Sequence, residues 1–339
     1  MKLNRIAVAL ISSTMLLLFA PAYGGGATAR AEEPNLKLIR IMITRSIAAA
    51  PILAIGPFAE KYGLRTEVIP IGTNAEMLTG LRTGSAEIGQ LGLQSPAILA
   101  EQNVGNVKII AGFIVGAQNL ITRKAAAIHS WKDLEGKKIG LAPGTYAAVL
   151  FTLAARENNV DISKINLINT TASGTVELQA LKNGDLDGFV LYSPIIDRAV
   201  IEGFAEYPPC CDIGSTKKFG SDNQLFAANA DFLKDRTTVV KLLKAYVEAE
   251  QYYIANSGKA LDITGQYTGV PKEVLVEAMK HFAWDHRVDL KAAVSVAQEG
   301  PTFGFTKADM SGKVPAYFDL SFLSEATGKP VNQLDTFGH

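Results

Sequence analysis

Leu78-Thr-Gly-Leu81-Arg82-Thr-Gly84-Ser-Ala-Glu87 is answered one hundred residues later by Leu178-Gln-Ala-Leu181-Lys182-Asn-Gly184-Asp-Leu-Asp187. In each copy, leucines at i and i+3 share one helix face, a basic residue suits the negative end of the helix dipole, and a glycine stops the helix in the left-handed conformation. A carboxylate and a strand follow, over residues 88–92 in the first copy and 188–191 in the second. The repeat reads as two similar α/β lobes, and two lobes enclose a cleft.

The agreement extends upstream. Leu38-Ile-Arg-Ile-Met-Ile43 is an apolar strand, Thr44-Arg45-Ser46 a polar loop, and residues 47–62 a helical stretch ending at Gly63. Residues 137–142, Pro143-Gly144-Thr145 and residues 146–158 repeat that order, with Ile41 and Ile139, and Ala49 and Ala147, each 98 apart. Second strands at 67–71 and 164–168 lead into the motif through loops able to cap a helix, Gly72-Thr73-Asn74 and residues 171–175. Strands alternating with helices imply βαβ units and a parallel sheet in each lobe. Two copies of a long unit do not suit a solenoid, which stacks three or more short ones.

Residues 107–111 and 118–122 read as strands leaving the first lobe, and 224–228 as a strand returning after the second. Helices over 239–254, 260–266 and 272–282 then belong most simply to the first lobe. The expected division is therefore a discontinuous lobe I, residues 32–121 and 223–339, and a lobe II of residues 122–222. Crossings near 120–123 and 219–223 would form a hinge.

At 339 residues, with 48% hydrophobic and 8% aromatic residues, the chain suits a two-domain α/β protein. Lys2 and Arg5 precede an apolar run over 6–20, then Pro21, a glycine patch and the small-residue site Ala29-Arg30-Ala31. This reads as a secretory signal peptide over residues 1–31, with an uncleaved anchor as the alternative. Its removal takes away three basic residues and no acidic ones, leaving 30 positive against 33 negative, a net charge of −3. Nothing there asks for nucleic acid. No later stretch approaches ~18 uninterrupted apolar residues, so a soluble mature protein is expected. The only cysteines are the neighbours Cys210 and Cys211, so no lipid-bearing cysteine follows the leader. A disulfide between adjacent residues closes a strained ring, and two thiols are the expected state.

In open parallel sheets, ligands sit beyond the carboxyl ends of the strands. In two facing lobes that rule places Arg45, Ser46, Gln94 and Ser95 on one side of the cleft and Gly144, Thr145, Tyr146 and Tyr192 on the other. Ser46 and Thr145 also read as helix N-caps, and a free helix start attracts anions. Arg45, between an apolar strand and an apolar helix, can grip a carboxylate, sulfonate or phosphate through two hydrogen bonds, or pair with a carboxylate across the cleft. Tyr146 and Tyr192 offer apolar walls with hydroxyl handles, or core packing.

Catalytic signals are poor. Among His129, His281, His286 and His339 no pair has metal-ligand spacing, and there is no G-x-S-x-G, phosphate-binding loop or dinucleotide fingerprint. No catalytic residue, metal or cofactor is expected: the cleft reads as one that binds without chemistry.

Phe58-Ala-Glu-Lys-Tyr-Gly63-Leu64, Leu81-Arg-Thr-Gly84-Ser-Ala-Glu87-Ile-Gly89, Asp133-Leu-Glu-Gly136-Lys-Lys-Ile-Gly140, Ala180-Leu-Lys-Asn-Gly184-Asp-Leu-Asp187 and Tyr317-Phe-Asp-Leu-Ser-Phe-Leu323 follow one another along most of the mature chain. Together they resemble the periplasmic solute-binding proteins of ABC importers for nitrate, alkanesulfonates and taurine, related to thiamine-pyrimidine precursor proteins. The resemblance implies a type II two-lobed fold with a two-strand hinge, and closure as a monomer around a small, anionic organic solute. It also implies delivery to an ABC permease and its ATPase from the periplasm. The family positions carried over are 44–47 (Thr44 among them), 92–96 (Gly92 among them), 144–146 and Tyr192. Two departures count against sulfonate or taurine: Tyr192 stands where the family often has Trp, and Gly144-Thr145-Tyr146-Ala147-Ala148 replaces a Gly-Ser-x-x-His-like start. An enzyme of the same fold acting on a pyrimidine-type precursor, or a ligand-sensing subunit for a membrane receptor, are the alternatives.

Overall fold

The computed structural model describes residues 36–44, 49–71, 73–143, 145–171 and 174–336, so the leader assigned to 1–31 lies outside the described residues. Strand β1 (Lys37–Thr44) buries Ile39, Ile41 and Ile43 on one face and Met42 on the other. Such a run belongs to a strand covered on both faces. β2 (Leu64–Ile71) and β3 (Ile88–Leu91) flank it in parallel, Lys37 opposite Leu64 and Ile41 opposite Ile88. The second sheet repeats this: β6 (Lys138–Leu141) lies between parallel β7 (Asn166–Asn169) and β8 (Gly188–Tyr192), with Ile139 opposite Gly188.

The doubled motif supplies α3 (Asn74–Thr83) and α6 (Thr175–Asn183), which end on Gly84 at φ 72° and Gly184 at φ 84°. Glycine takes that conformation without the strain a Cβ would bring. Leu81 and Leu181 are fully buried. The carboxylate after each stop clamps the first strand of its own lobe. Glu87 accepts from the Arg40 backbone N–H at 2.7 Å and returns its own N–H to the Arg40 carbonyl at 3.1 Å. Asp187 does the same to Lys138, at 3.0 and 2.8 Å. Helices α4 (Ser95–Glu101) and α7 (Ile195–Ile201) follow β3 and β8.

Both sheets are completed by antiparallel strands. β12 (Asn223–Asn229) runs antiparallel between β3 and β4 (Val107–Val115), with β13 (Ala283–Trp284) beyond β4. β5 (Gln118–Arg123) runs antiparallel to β8 and to β9 (Ala205–Glu206). The parallel arrangement read from the sequence thus forms three strands of each sheet. β5 and β12 oppose it because each arrives from the other sheet and starts at the edge where the parallel strands end.

Two local expectations change. The single helix expected over 47–62 is, among the described residues, two short ones, α1 (Ala50–Leu53) and α2 (Gly56–Glu60). Pro57, early in α2, has no N–H for the Leu53 carbonyl and breaks the run. Its counterpart α5 (Tyr146–Glu157) is unbroken over 12 residues. Cys210 and Cys211 are joined in a disulfide, their Cα atoms 3.8 Å apart, which corrects the expected pair of thiols. They sit where the Cys211 N–H turns back to the Pro208 carbonyl at 3.3 Å, a turn tight enough to bring neighbouring sulfurs together.

The chain crosses from the first sheet to the second through Gly116-Ala117, Gly116 at φ 87°. This is slightly earlier than expected, because residues 120–123 belong to the body of β5. The return passage, residues 207–222, includes a small hairpin of β10 (Ser215–Thr216) and β11 (Gly220–Ser221). Asp222 ties the two passages: its carbonyl accepts from Gly116 N–H at 3.0 Å and its carboxylate from Gln118 N–H at 3.1 Å. After the short α8 (Ala230–Leu233), α9 (Arg236–Ala255) packs on α1 and α2. α10 (Ser257–Thr268) and α11 (Lys272–Ala278) follow, and α11 reaches across to α7.

Candidate functional site

The carboxyl ends of the parallel strands face a shared cavity of about 610 Å³. From the first sheet come Thr44 and Ile71, the last residues of β1 and β2, with Gln90, Leu91 and Gly92 at the end of β3. The second contributes Tyr146, which opens α5, and Tyr192 and Ser193 at the end of β8. Gln118 and Gln224, each near the start of a strand that leaves a crossing passage, join the two halves of the wall.

Of the residues expected in the cleft, Thr44, Gly92, Gln94, Tyr146 and Tyr192 line this cavity. Ser95 does not. It is fully buried and donates to Asn74 Oδ1 at 3.3 Å, and Asn74 is the residue at the surface of the cavity. Thr145 caps α5, accepting from Ala148 N–H at 3.3 Å and donating to the Ala142 carbonyl at 2.8 Å. Arg45, Ser46 and Gly144 lie outside the described residues. Gly92 is glycine for a local reason: a Cβ there would stand 2.4 Å from Gln94 Oε1, so its absence lets Gln94 fold back over the backbone.

The carboxamides were the missed signal. Asn74, Gln90, Gln118 and Gln224 line the cavity together with Gln94. Gln90 could have been found, since an amide inside the buried strand Ile88-Gly89-Gln90-Leu91 breaks its apolar pattern. Its Oε1 accepts from the Thr44 N–H at 3.2 Å and from Thr44 Oγ1 at 3.1 Å, and its Nε2 donates to Gln224 Oε1. Gln118 and Gln224 carry no local mark, because they meet only through the two crossings.

Among the described residues that line the cavity, every polar side chain is an amide or a hydroxyl. A carboxyl stands behind them. Asp222 is 1% exposed, and burial pushes its pKa up to about 7, against the pull of the Gln118 N–H and the Tyr146 hydroxyl. Burial, with Asp222 and Asp289 nearby, in turn raises the Tyr146 hydroxyl well above its ordinary value. Tyr146 is 8% exposed and Tyr192 40%, so one is a fixed wedge and the other an open lip. Cys211 and His281 line a different cavity, of about 450 Å³, where Tyr207 stacks on His281 with ring centroids 3.6 Å apart.

The family model described as "NMT1/THI5 like" matches residues 56–260, a span that includes both copies of the doubled motif. The chain belongs to the NMT1/THI5-like family. A putative binding protein of Brucella abortus (strain 2308) is 28% identical to this NMT1/THI5-like chain over 225 residues, 66% of this chain and 68% of that protein. The periplasmic aliphatic sulphonate binding protein SsuA from Escherichia coli has the same fold, with a TM-score of 0.70 at 15% identity over 83% of this chain and 91% of that one. So does the desulfurization enzyme DSZB, with a TM-score of 0.64 at 14% identity over 86% and 99%. The two-lobed periplasmic-binding-protein fold implied by the resemblance is thus the fold of this NMT1/THI5-like chain. Binding proteins and at least one enzyme share it.

Proposed function

We propose that this NMT1/THI5-like chain is an extracytoplasmic solute-binding protein that captures a small organic anion between its lobes and hands it to an ABC permease and its ATPase. The observation that carries the reading is the cavity of about 610 Å³ at the facing strand ends. Its wall of amides and hydroxyls can hold and orient a solute, and among the described lining residues it has no histidine, cysteine or carboxylate to act on one. The likeness to binding proteins supports the same reading.

The lobes divide at the two crossing passages, the first lobe holding the strands up to Val115 and from Asn223 onward and the second those from Gln118 to Glu206, with the hinge at the passages. Solute bridging the lobes shifts an open–closed equilibrium, and moving it from 1:99 to 99:1 takes ~5.5 kcal/mol of differential affinity. Among the described residues no helix is long and apolar enough to cross a membrane. The leader read over 1–31 and the likeness to a periplasmic binding protein support a place in the periplasm.

The anionic character of the solute rests on Arg45, one residue beyond the cavity-lining Thr44. Calorimetry on Arg45→Ala should show an anionic solute bound more weakly by about 1.5–3 kcal/mol, the contribution of a charge-assisted hydrogen bond. Unchanged affinity would take Arg45 and the anion out of the proposal. Mass spectrometry of solute incubated with the protein should return it unaltered; a converted product would favour the enzyme reading that DSZB represents.

A further inference from the structure

Strand order sorts the first lobe's share of the cavity wall into a polar part and an apolar part. Its sheet runs β2-β1-β3-β12, and each of these strands brings an end to the cavity. On the inner three, Thr44, Gln90 and Gln224 form a connected row. The Thr44 N–H and Oγ1 donate to Gln90 Oε1 at 3.2 and 3.1 Å, and Gln90 Nε2 donates to Gln224 Oε1. The outer strand ends differently. β2 sets Pro70 beside Ile43 and Ile71 beside Thr44, and both line the cavity, Pro70 exposed and Ile71 half-buried. The second lobe brings Tyr192, 40% exposed, to the same cavity, at the place where the doubled pattern has Gly92 one hundred residues earlier. The polar row is thus bonded to itself, whereas apolar surface on both lobes stands in water. Exposed apolar surface beside polar groups is characteristic of a ligand groove, and a solute that covers it gains the free energy of taking it out of water.

We infer that the solute is amphiphilic, with an aryl or alkyl body bound against Pro70 and Ile71 of one lobe and Tyr192 of the other, and a polar end over the row of Thr44, Gln90 and Gln224. Tyr192 and Ile71 are then specificity-determining residues, selecting the body of the solute rather than its polar end. The cavity of about 610 Å³ lies within the ~300–1,000 Å³ of sites that take whole organic molecules. A bare oxyanion or a one-carbon acid would leave most of it to water and the apolar surface of both lobes uncovered. This rests on the reading of the cleft as a solute site and adds to it.

The test is calorimetry on the mature protein with two matched pairs, acetate against phenylacetate and methanesulfonate against benzenesulfonate, each pair alike in charge and different in body. Burying a side chain of phenyl size is worth a factor of about 10 to 150 in affinity. The aryl member of each pair should bind more tightly by about that factor. Tyr192→Ala and Ile71→Ser should each shrink the ratio within a pair by a factor of about 4 or more, the worth of one buried methylene. Tyr192→Phe, which keeps the ring, should restore it. The ratio is read within one protein, so a loss of folded material does not imitate the effect, and Tyr192 carries the test if Ile71→Ser does not fold. If both members of each pair bind alike, or the ratio survives the substitutions, the apolar body is wrong while the solute-binding reading stands. If none of the four probes binds, both fall.

Discussion

The two lobes share what lies far from the cleft and differ at its lips. In both, the motif helix stops on a left-handed glycine and the following carboxylate takes the backbone N–H of the lobe's first strand, Arg40 for Glu87 and Lys138 for Asp187. At the cavity the likeness ends. The helix after the first strand is broken by Pro57 in lobe I and continuous in lobe II, and β3 runs into Gly92 and Gln94 where β8 ends in Tyr192 and Ser193. What the copies have in common stabilises each sheet, and what they do not have in common lines the cavity.

The largest test of that division is in the cores. Leu81→Ala and Leu181→Ala each remove a fully buried side chain, and each should cost about 2–5 kcal/mol in urea unfolding. A loss in one lobe only would break the equivalence. The clamps come next. Glu87→Gln and Asp187→Asn should each cost about 1–3 kcal/mol by the same measurement. The Glu87 change should be the greater, because the Arg40 guanidinium also holds that carboxylate, through Nε at 3.2 Å and Nη2 at 2.6 Å. Asp187 has a single guanidinium contact, Arg123 Nη2 at 3.0 Å. A larger loss at Asp187 would show that the guanidinium adds nothing to the shared clamp.

The last test is a slope rather than a loss at one pH, and belongs to the passage between the lobes. Asp222 holds its proton up to about pH 7 when folded, with Asp212 and the Tyr146 hydroxyl as its charged and titratable neighbours. The unfolded chain releases that proton near pH 4. Between those values the folded state binds more protons, so this site makes the protein less stable as pH rises from about 4 to about 7. Thermal midpoints across that range should lose this part of their pH dependence in Asp222→Asn. An unaltered slope would mean that the carboxyl is ionised throughout.

The scaffold was legible because its signals are local. Leucine spacing, a glycine stop and a short apolar strand are each set within a few residues, and their repetition at a fixed offset gave the lobes. Thr145 was legible as a cap for the same reason. The amide wall was not, since Gln118 and Gln224 stand 106 positions apart in sequence and share a cavity only because the chain crosses twice. The disulfide escaped for a different reason: the expectation weighed ring strain and lacked the turn from Pro208 that draws Cys211 back.

Asn223 stands opposite Val115 in the ladder between β12 and β4. Lobe II therefore leaves and rejoins the first sheet at adjacent rungs, and topologically it is an insertion into the tip of a β-hairpin. An Asn-Gly turn of the kind that suits a two-residue hairpin, placed between Val115 and Asn223, would reconnect β4 to β12 without disturbing their pairing. The larger sheet would then stand as a separate piece of architecture, and the smaller lobe becomes a cassette that could be exchanged as one continuous stretch of chain.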